Sequence, residues 1–496
     1  MAADRLDAIV IGAGVEGLTA AIALARAGLG VIVVERKLSP ALLGLGRRAI
    51  VAAETARELD LTALGIRFAP PPPLVGIAGD TRVVIWPEPH AARAGIALLS
   101  PRDAEAYAEF RNRIACAARS PARLSSPVAW LTSAAPMTES DASPFWLSSI
   151  AHALDEAFDS DLLKGIWAQA AVMGTGVSPA APMSASLLTR ASLLSDVAPE
   201  LAGRAISGGR TRLITALIDQ FAALGGELRL GAEALEVIVD RDAAQGVELV
   251  GGVVLRAPLV LSSLDARRSY LMLVGLRRLP QAVVRQMTAA KAEAKPGLVR
   301  LTLGAAPPFA GLDPDVLAAA PLIRINPSVE RLTHAHGAFR RRQLNEEISL
   351  EVSTRPLAAS TPGDGIRWEL IATAPYLPPE TTEGPWSEGR RERLRDLTLA
   401  ALESAAPGIG ALVEAVDLLN PPAPQTNMGP NGAAFLQANA SGDPTALPRP
   451  LGTLPPPVLK NLIVLERNIF ATDGIVGLMA AKAAAGAKPK GRGARA

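Results

Sequence analysis

Residues 7–35 read DAIVIGAGVEGLTAAIALARAGLGVIVVE, and this stretch decides the fold. Ala8 to Ile11 is a short apolar run of the kind that forms a buried parallel strand. Gly12, Gly14 and Gly17 follow in G-x-G-x-x-G spacing, with Ala13, Val15 and Glu16 between them. Leu18 to Ala27 is rich in Ala and Leu and helical by propensity, and Gly28 stops that helix. Val31 to Val34 is a second buried strand, and Glu35 ends it. Strand, glycine turn, helix, strand and acid in this order make a dinucleotide-binding fingerprint. Gly12 allows the tight turn, Gly14 lets the backbone approach a pyrophosphate, and Gly17 lets the helix pack on the strands. The helix N-terminus offers N–H groups and a positive dipole end to the phosphates. Glu35, eighteen residues beyond Gly17, is placed to accept hydrogen bonds from a ribose diol, with Arg36 beside it.

Composition sets the bounds. A chain of 496 residues has room for two or more domains, or one large α/β body. With 49% apolar residues it can build a large core, and a net charge of +2 gives no whole-chain argument for nucleic acid. A single cysteine, Cys116, excludes an internal disulfide framework, a cysteine-rich metal site and a CxxC redox pair; a small apolar filler is its expected role. The first strand begins within ten residues of Met1, so no signal peptide is expected. No uninterrupted run of eighteen apolar residues looks like a membrane span. The expected location is the cytoplasm.

Further along, SPRDAEAYAEFRNRI from Ser100 predicts a helix to about Ala118, with a serine cap, proline in the first turn and early acids. Residues 119 to 145 read as loop, and helices dominate from Trp146 to about Ala171. Ser207-Gly208-Gly209 introduces a helix from Thr211 to Leu224. The strand GELRLG, then ALEVIVD, a hairpin and the buried run Leu259 to Leu261 follow. LVRLTLG, EEISLEVSTR and IRWELIATAPY predict strands, and WSEGRRERLRDLTLAALESAAP predicts an amphipathic helix. Asn461 to Leu465 reads as a last buried strand, Gly474 to Ala485 as a small-residue helix, and GAKPKGRGARA as a basic flexible tail. These pieces predict an interrupted topology. A nucleotide-binding domain is built from 1–55, 205–268 and 457–486, a second domain from 56–204 and 269–456, and the tail is 487–496.

At this level of detail the chain resembles FAD-dependent oxidoreductases of the phytoene desaturase and amine oxidase class, nearest the pyridine nucleotide-disulfide oxidoreductase domain 2 group. The fingerprint carries the resemblance, together with GGRTRLITALIDQFAALGGELRLGAEALEVIVD, FDSDLLKGIWAQAAVMGTGVSPAAP, VVLRAPLVLSSLDARRSYLMLVG, LNPPAPQTNMGPNGAAF and the final glycine-bearing helix. It implies an α/β fold: a Rossmann-like FAD/NAD(P)-binding domain interrupted by a mixed α+β substrate domain. It also implies a non-covalent FAD. Gly12, Ala13, Gly14, Val15, Glu16 and Gly17 would hold its pyrophosphate, Glu35 and Arg36 the adenosine ribose, and Val237 the adenine. Ser262 would lie near the cofactor, and Gly474, Ile475 and Gly477 would face the ribityl chain or ring.

The chain also departs from the family pattern. The glycine pair expected shortly after the acid is replaced by Ala41-Leu42, with Gly44 and Gly46 slightly later. At the C-terminal end, Glu466 stands where the family has a glycine beside the pyrophosphate, Phe470-Ala471 replace His-Pro, and Thr472-Asp473 replace two of three glycines. Three outcomes stay open: FAD held by shifted loops, a smaller nucleotide, or a fold that has lost the cofactor and serves as a structural or protein-partner subunit. The leading expectation is an FAD-dependent oxidoreductase that passes a hydride from a hydrophobic small molecule to flavin, with peripheral membrane contact left open. No side chain marks itself as a general acid or base. His334 and His336 in THAHGAFRRR read as a solvated loop without further zinc ligands, and Tyr107 and Trp146 as packing residues.

Overall fold

The computed structural model describes residues 6–39, 49–119, 148–182, 184–189, 203–264, 266–289, 295–312, 314–318, 321–357, 365–378, 381–382, 384–420, 458–465 and 473–486. It divides into two compact units, one of residues 1–70, 200–291 and 429–496, the other of 71–199 and 292–428.

In chain order the elements begin with β1 (Ala8–Ile11), α1 (Val15–Arg26), β2 (Val31–Glu35), β3 (Ile50–Val51), α2 (Ala53–Glu58), β4 (Leu74–Ala78), β5 (Thr81–Ile85), α3 (Pro89–Ala97), α4 (Pro101–Arg119), α5 (Ile150–Ala157) and α6 (Asp161–Val172). Next come β6 (Arg204–Ala205), α7 (Gly209–Ala223), β7 (Glu227–Leu230), β8 (Ala234–Asp240), β9 (Ala243–Leu249), β10 (Val254–Arg256), β11 (Leu259–Ser262) and a π-helix (Arg267–Gly275). The rest are α8 (Gln281–Ala289), β12 (Lys295–Leu303), α9 (Pro314–Ala318), β13 (Leu322–Ile325), α10 (Val329–Arg340), β14 (Leu350–Pro356), β15 (Trp368–Leu377), α11 (Glu388–Ala405), β16 (Val413–Asn420), β17 (Leu462–Val464) and α12 (Ile475–Gly486).

The first unit is organised on a five-stranded sheet of order β17-β11-β1-β2-β7. All its pairings are parallel, with Val10 opposite Val33 on one side and Leu261 on the other. A parallel strand is buried on both faces, which is why β1 and β2 are continuous apolar runs. Alternate residues then split between two cores. Ala8, Val10, Val31 and Val33 pack with Leu18 and Ile22 of α1 and Leu213 and Leu217 of α7. Ile9, Ile11, Ile32 and Val34 pack on the other face against Val237 and Val247. Those two residues belong to the antiparallel sheet β10-β9-β8. Helices, parallel sheet and small antiparallel sheet make three layers, the α/β architecture expected from the fingerprint.

The second unit is built on a seven-stranded mixed sheet of order β16-β12-β15-β14-β13-β4-β5. One face carries Ile323, Ile325, Leu350, Val352, Leu370 and Ala372 into a core shared with Leu394 and Leu402 of α11. The opposite face is covered by α6 over β4: a Cβ at Gly76 would lie 2.4 Å from Ile166 Cδ1. Tyr107 and Phe110 of α4 join Phe158 and Trp167 in one aromatic cluster, with Phe110 edge-on to Trp167 at 5.2 Å. Tyr107 is buried there, as a packing residue should be, whereas Trp146 lies outside the described residues. The helix starts follow capping chemistry. Ser100 Oγ accepts from Asp103 N, Ser149 Oγ from His152 N and Ser160 Oγ from Leu163 N.

Two local expectations are corrected. Cys116 is exposed rather than a core filler, because it falls on the solvent side of α4. The THAHGAFRRR stretch lies mostly in α10 rather than a loop, since Leu332, Ala335, Ala338 and Phe339 give it a buried stripe at helical spacing. Among the described residues no helix is long and apolar enough to cross a membrane.

Candidate functional site

The site grows from the turn between β1 and α1. Gly12 N donates to Val34 O at 2.8 Å, tying the turn to the end of β2. Gly12 has φ +95°, and a Cβ on it would sit 2.4 Å from Ser263 Oγ, so only glycine fits. Ser263, just past β11, donates its hydroxyl to Ile11 O and Gly12 O, both at 3.0 Å, and so pins the turn from the neighbouring strand. A Cβ at Gly17 would meet Gly12 O at 2.1 Å, which measures how closely α1 approaches the strand end.

Gly14 is the contrast. It is the N-cap of α1, no side chain caps that helix, and no atom lies within 4 Å of a Cβ built on it. An uncapped helix N-terminus with open space over its first residue is a cradle for a diphosphate. Glu35 stands at the C-terminal end of β2. Its carboxylate accepts from Ala13 N and from Lys37 N, each at 2.9 Å, which fixes the side chain against the glycine turn. Burial pushes the Lys37 ammonium below its usual range, and Glu35 partly opposes that shift. Arg36 pairs with Glu233 at 3.7 Å on a partly exposed surface. Gly12 to Gly17 and Glu35 are thus brought together at the carboxyl ends of parallel strands, where open α/β sheets bind ligands. These residues fit the pyrophosphate and ribose of FAD.

The other expected residues are placed differently. Ser262 ends β11 beside Ile11, but its hydroxyl is engaged with that of Ser269, 2.8 Å away on the π-helix. Val237 is buried on β8, and its carbonyl lies 3.4 Å from Arg278 Nη1. Gly474 and Gly477 do start the last helix, and a Cβ at Gly477 would lie 2.1 Å from Glu16 O, so α12 crosses α1 in close contact. Ile475 is half-buried and packs with that helical core. Their amides, expected to face the cofactor, are taken by a side chain of the protein itself. Glu16 is 0% exposed, with Oε1 accepting from Gly474 N and Oε2 from Gly477 N, both at 2.9 Å. Glu16, expected within the fingerprint to hold the pyrophosphate, is the cap of α12.

Beside it, Asp473 is buried and bonds Arg210 of α7 at 2.5 Å and Ile50 N at 2.9 Å. Asp473, one of the residues replacing the family's glycines, thereby closes the start of α12 with an internal ion pair. Neither arrangement was visible in advance. The available signals were a charged residue inside a glycine fingerprint and an acid directly before a glycine-led helix. Glu466, Gly44 and Gly46 lie outside the described residues.

In the second unit, a polar cluster gathers at the end of β15. Tyr376 adopts φ +60°, rare for a bulky residue, and its hydroxyl donates to Val177 O. His336 of α10 meets Tyr376 edge-on at 5.4 Å, and its Nε2 contacts Gly176 O at 3.1 Å. Burial lowers the His336 imidazole and pushes the Tyr376 phenol well above its ordinary range. Both rings hold the segment around Gly176 against β15 and α10.

The chain is similar to several known proteins. Residues 7–40 match the family model described as an FAD binding domain. The mouse (Mus musculus) pyridine nucleotide-disulfide oxidoreductase domain-containing protein 2 is 26% identical over 287 residues, covering 55% of this chain and 48% of that protein. The neurosporene-forming phytoene desaturase of Cereibacter sphaeroides is 34% identical over 82 residues, 16% of each chain. The chain spans about half the length of the mouse and rat relatives it matches, 48% and 53%. Among solved structures, putrescine oxidase bound to putrescine superposes with a TM-score of 0.58 at 14% identity, over 97% of this chain and 98% of that one. That likeness is one of fold. The fingerprint thus matches an FAD binding domain, parts of the sequence are similar to the domain 2 protein and to the phytoene desaturase, and the fold is similar to that of putrescine oxidase.

Proposed function

We propose that the chain is an FAD-dependent oxidoreductase that takes a hydride from a C–H bond of a hydrophobic small molecule in the cytoplasm. The observation that carries the proposal is the open N-terminus of α1, with Gly14 unobstructed and Glu35 fixed beside it. The flavin, when bound, supplies the acceptor for the electron pair. The chain's own groups do the rest. The first turn of α1 offsets the diphosphate charge, Ser263 keeps the turn in shape, and Glu35 orients the ribose. The second unit provides the substrate-binding surface.

A second reading, a cofactor-free subunit that partners another protein, draws on one observation: Glu16 already fills the amides of α12. An absorption spectrum of the purified protein separates the two. Flavin bands that survive gel filtration, and that bleach under anaerobic reduction, support the enzyme. A colourless protein that added FAD cannot reconstitute refutes it and supports the partner subunit.

A further inference from the structure

The second unit contains buried polar atoms that its own fold leaves unused. Arg324 lies in the middle of β13, 1% exposed, opposite Gly76 of β4 and Glu351 of β14. Its neighbours Ile323 and Ile325 enter the apolar core, so by strand alternation Arg324 points to the other face, the one under α6. One guanidinium nitrogen, Nη2, bonds Glu351 Oε2 at 2.9 Å. Nε and Nη1 have no partner although both are shut from solvent. Burial lowers the guanidinium from its ordinary range, with Glu351 opposing the shift.

A second group in the same condition lies on the covering helix. Gln169 of α6 is 0% exposed, and neither its oxygen nor its nitrogen has a partner. Leu162 and Ile166 are the residues that reach over Gly76, directly beside Arg324. Gln169 follows them at i+7 and i+3, so it shares their helix face. Buried donors and acceptors are nearly always satisfied, and a pair of orphans beneath one helix marks a place where something else supplies the bonds.

The donor set narrows what that group can be. Arg324 offers only N–H, while Gln169 offers both N–H and an acceptor oxygen. Glu351 already neutralises Arg324. A full negative charge would leave the buried site unbalanced, and a cation would meet the unused N–H bonds of Arg324. A neutral carbonyl satisfies the set: its oxygen accepts from Arg324 and from the Gln169 amide nitrogen. A neutral N–H or O–H beside it can serve the Gln169 oxygen. The aromatic cluster of Phe110, Phe158 and Trp167 packs the same helix and marks apolar surroundings.

We propose that Arg324 and Gln169 form a buried subsite for a neutral carbonyl, and that the substrate is an apolar molecule bearing an amide, ketone or similar oxygen. This rests on the proposed function, in which the second unit binds the substrate. The test is calorimetric titration of the full-length protein with octanamide, 2-octanone, octanoate and octylamine, with flavin content recorded from the absorption spectrum. Octanamide and 2-octanone are expected to bind one per chain, octanoate and octylamine at least tenfold more weakly. Arg324→Met is expected to abolish carbonyl binding. Gln169→Leu, which keeps the Arg324–Glu351 pair and so decides the matter if Arg324→Met does not fold, is expected to weaken octanamide at least tenfold. Preference for octanoate or octylamine, no binding of any probe, or unchanged octanamide affinity in Gln169→Leu overturns the inference. A flavin-bearing protein that ignores octanamide refutes this subsite alone; a flavin-free protein that binds it refutes the proposed function alone.

Discussion

Two alanine substitutions within the glycine fingerprint, at Gly14 and Gly17, should behave in opposite ways. At Gly14 the backbone has φ −70° and ψ 173°, which alanine adopts without strain, and a built Cβ meets no atom within 4 Å. Alanine is a poorer N-cap than glycine by at most about 1 kcal/mol. Its restricted unfolded chain returns about 0.4–1 kcal/mol. Gly14→Ala should therefore leave stability within about 1 kcal/mol of the parent. The same methyl projects into the space proposed for the diphosphate, so FAD affinity should fall at least tenfold, about 1.4 kcal/mol. At Gly17 the added Cβ would lie 2.1 Å from Gly12 O and 3.1 Å from Ser263 Oγ. Backbone must move, and overpacking of this kind costs about 1–3 kcal/mol. Urea unfolding followed by far-ultraviolet circular dichroism reads the stabilities, and quenching of FAD fluorescence reads the affinities. Gly14→Ala protein that binds FAD as tightly as the parent would refute the cradle.

Glu16→Ala leaves the amides of Gly474 and Gly477 without their acceptor; with charged hydrogen bonds worth about 1.5–3 kcal/mol each, the midpoint of urea unfolding should drop clearly, and an unchanged midpoint would deny Glu16 its capping role. Arg210→Met takes the guanidinium from buried Asp473 and should cost about 3–5 kcal/mol, while Arg210→Met combined with Asp473→Asn should cost less than the two single changes summed; strict additivity in a double-mutant cycle would argue against coupling. His336 has its pKa lowered from 6.5 by burial, with the Arg340 charge adding to the shift, so the unfolded chain takes up its proton first as pH falls. Stability is then full above about 6.5 and is lost as pH drops through the lower folded value. His336→Gln should flatten that part of the melting-temperature profile between pH 7.5 and 4.5, and parallel profiles would rule the imidazole out as its source.

The parts of the fold that were legible are those whose cause is local. β1, α1 and β2 announce themselves because a doubly buried parallel strand must be apolar throughout and Gly12 must turn at positive φ. The helix at Glu388–Ala405 and the strands at Leu350–Pro356 and Trp368–Leu377 carry their period in the sequence. α10 was hidden because two of the four residues in its buried stripe are alanines, flanked by histidines and a run of arginines. The partnership of Glu16 with Gly474 and Gly477 joins residues more than 450 positions apart, and no local pattern encodes it. Arg324 was hidden inside LIRI, where one charge in an apolar strand is legible only once its cross-strand partner Glu351 is known. Half of the candidate site could be read because glycine spacing is a local signal; the other half depends on which helix the fold brings against α1.

That half also accounts for an acid inside the turn proposed to hold the diphosphate. A free carboxylate at roughly 6 Å from a phosphate charge would repel it by about 3 kcal/mol at an effective dielectric of about 20. Glu16 does not stand free. Its two oxygens are held by the first amides of α12, and the positive end of that helix is worth up to about 2 kcal/mol to a partly buried anion. The charge is therefore directed at α12 rather than at the open end of α1. Two helix N-termini that meet in the first unit differ in this respect: α12 is closed by the protein's own carboxylate, and α1, with Gly14 bare, is the one proposed to take an outside anion. The close crossing at Gly477 is what lets a side chain on α1 reach the start of α12, so the small residues of the last helix serve the fingerprint by keeping Glu16 occupied.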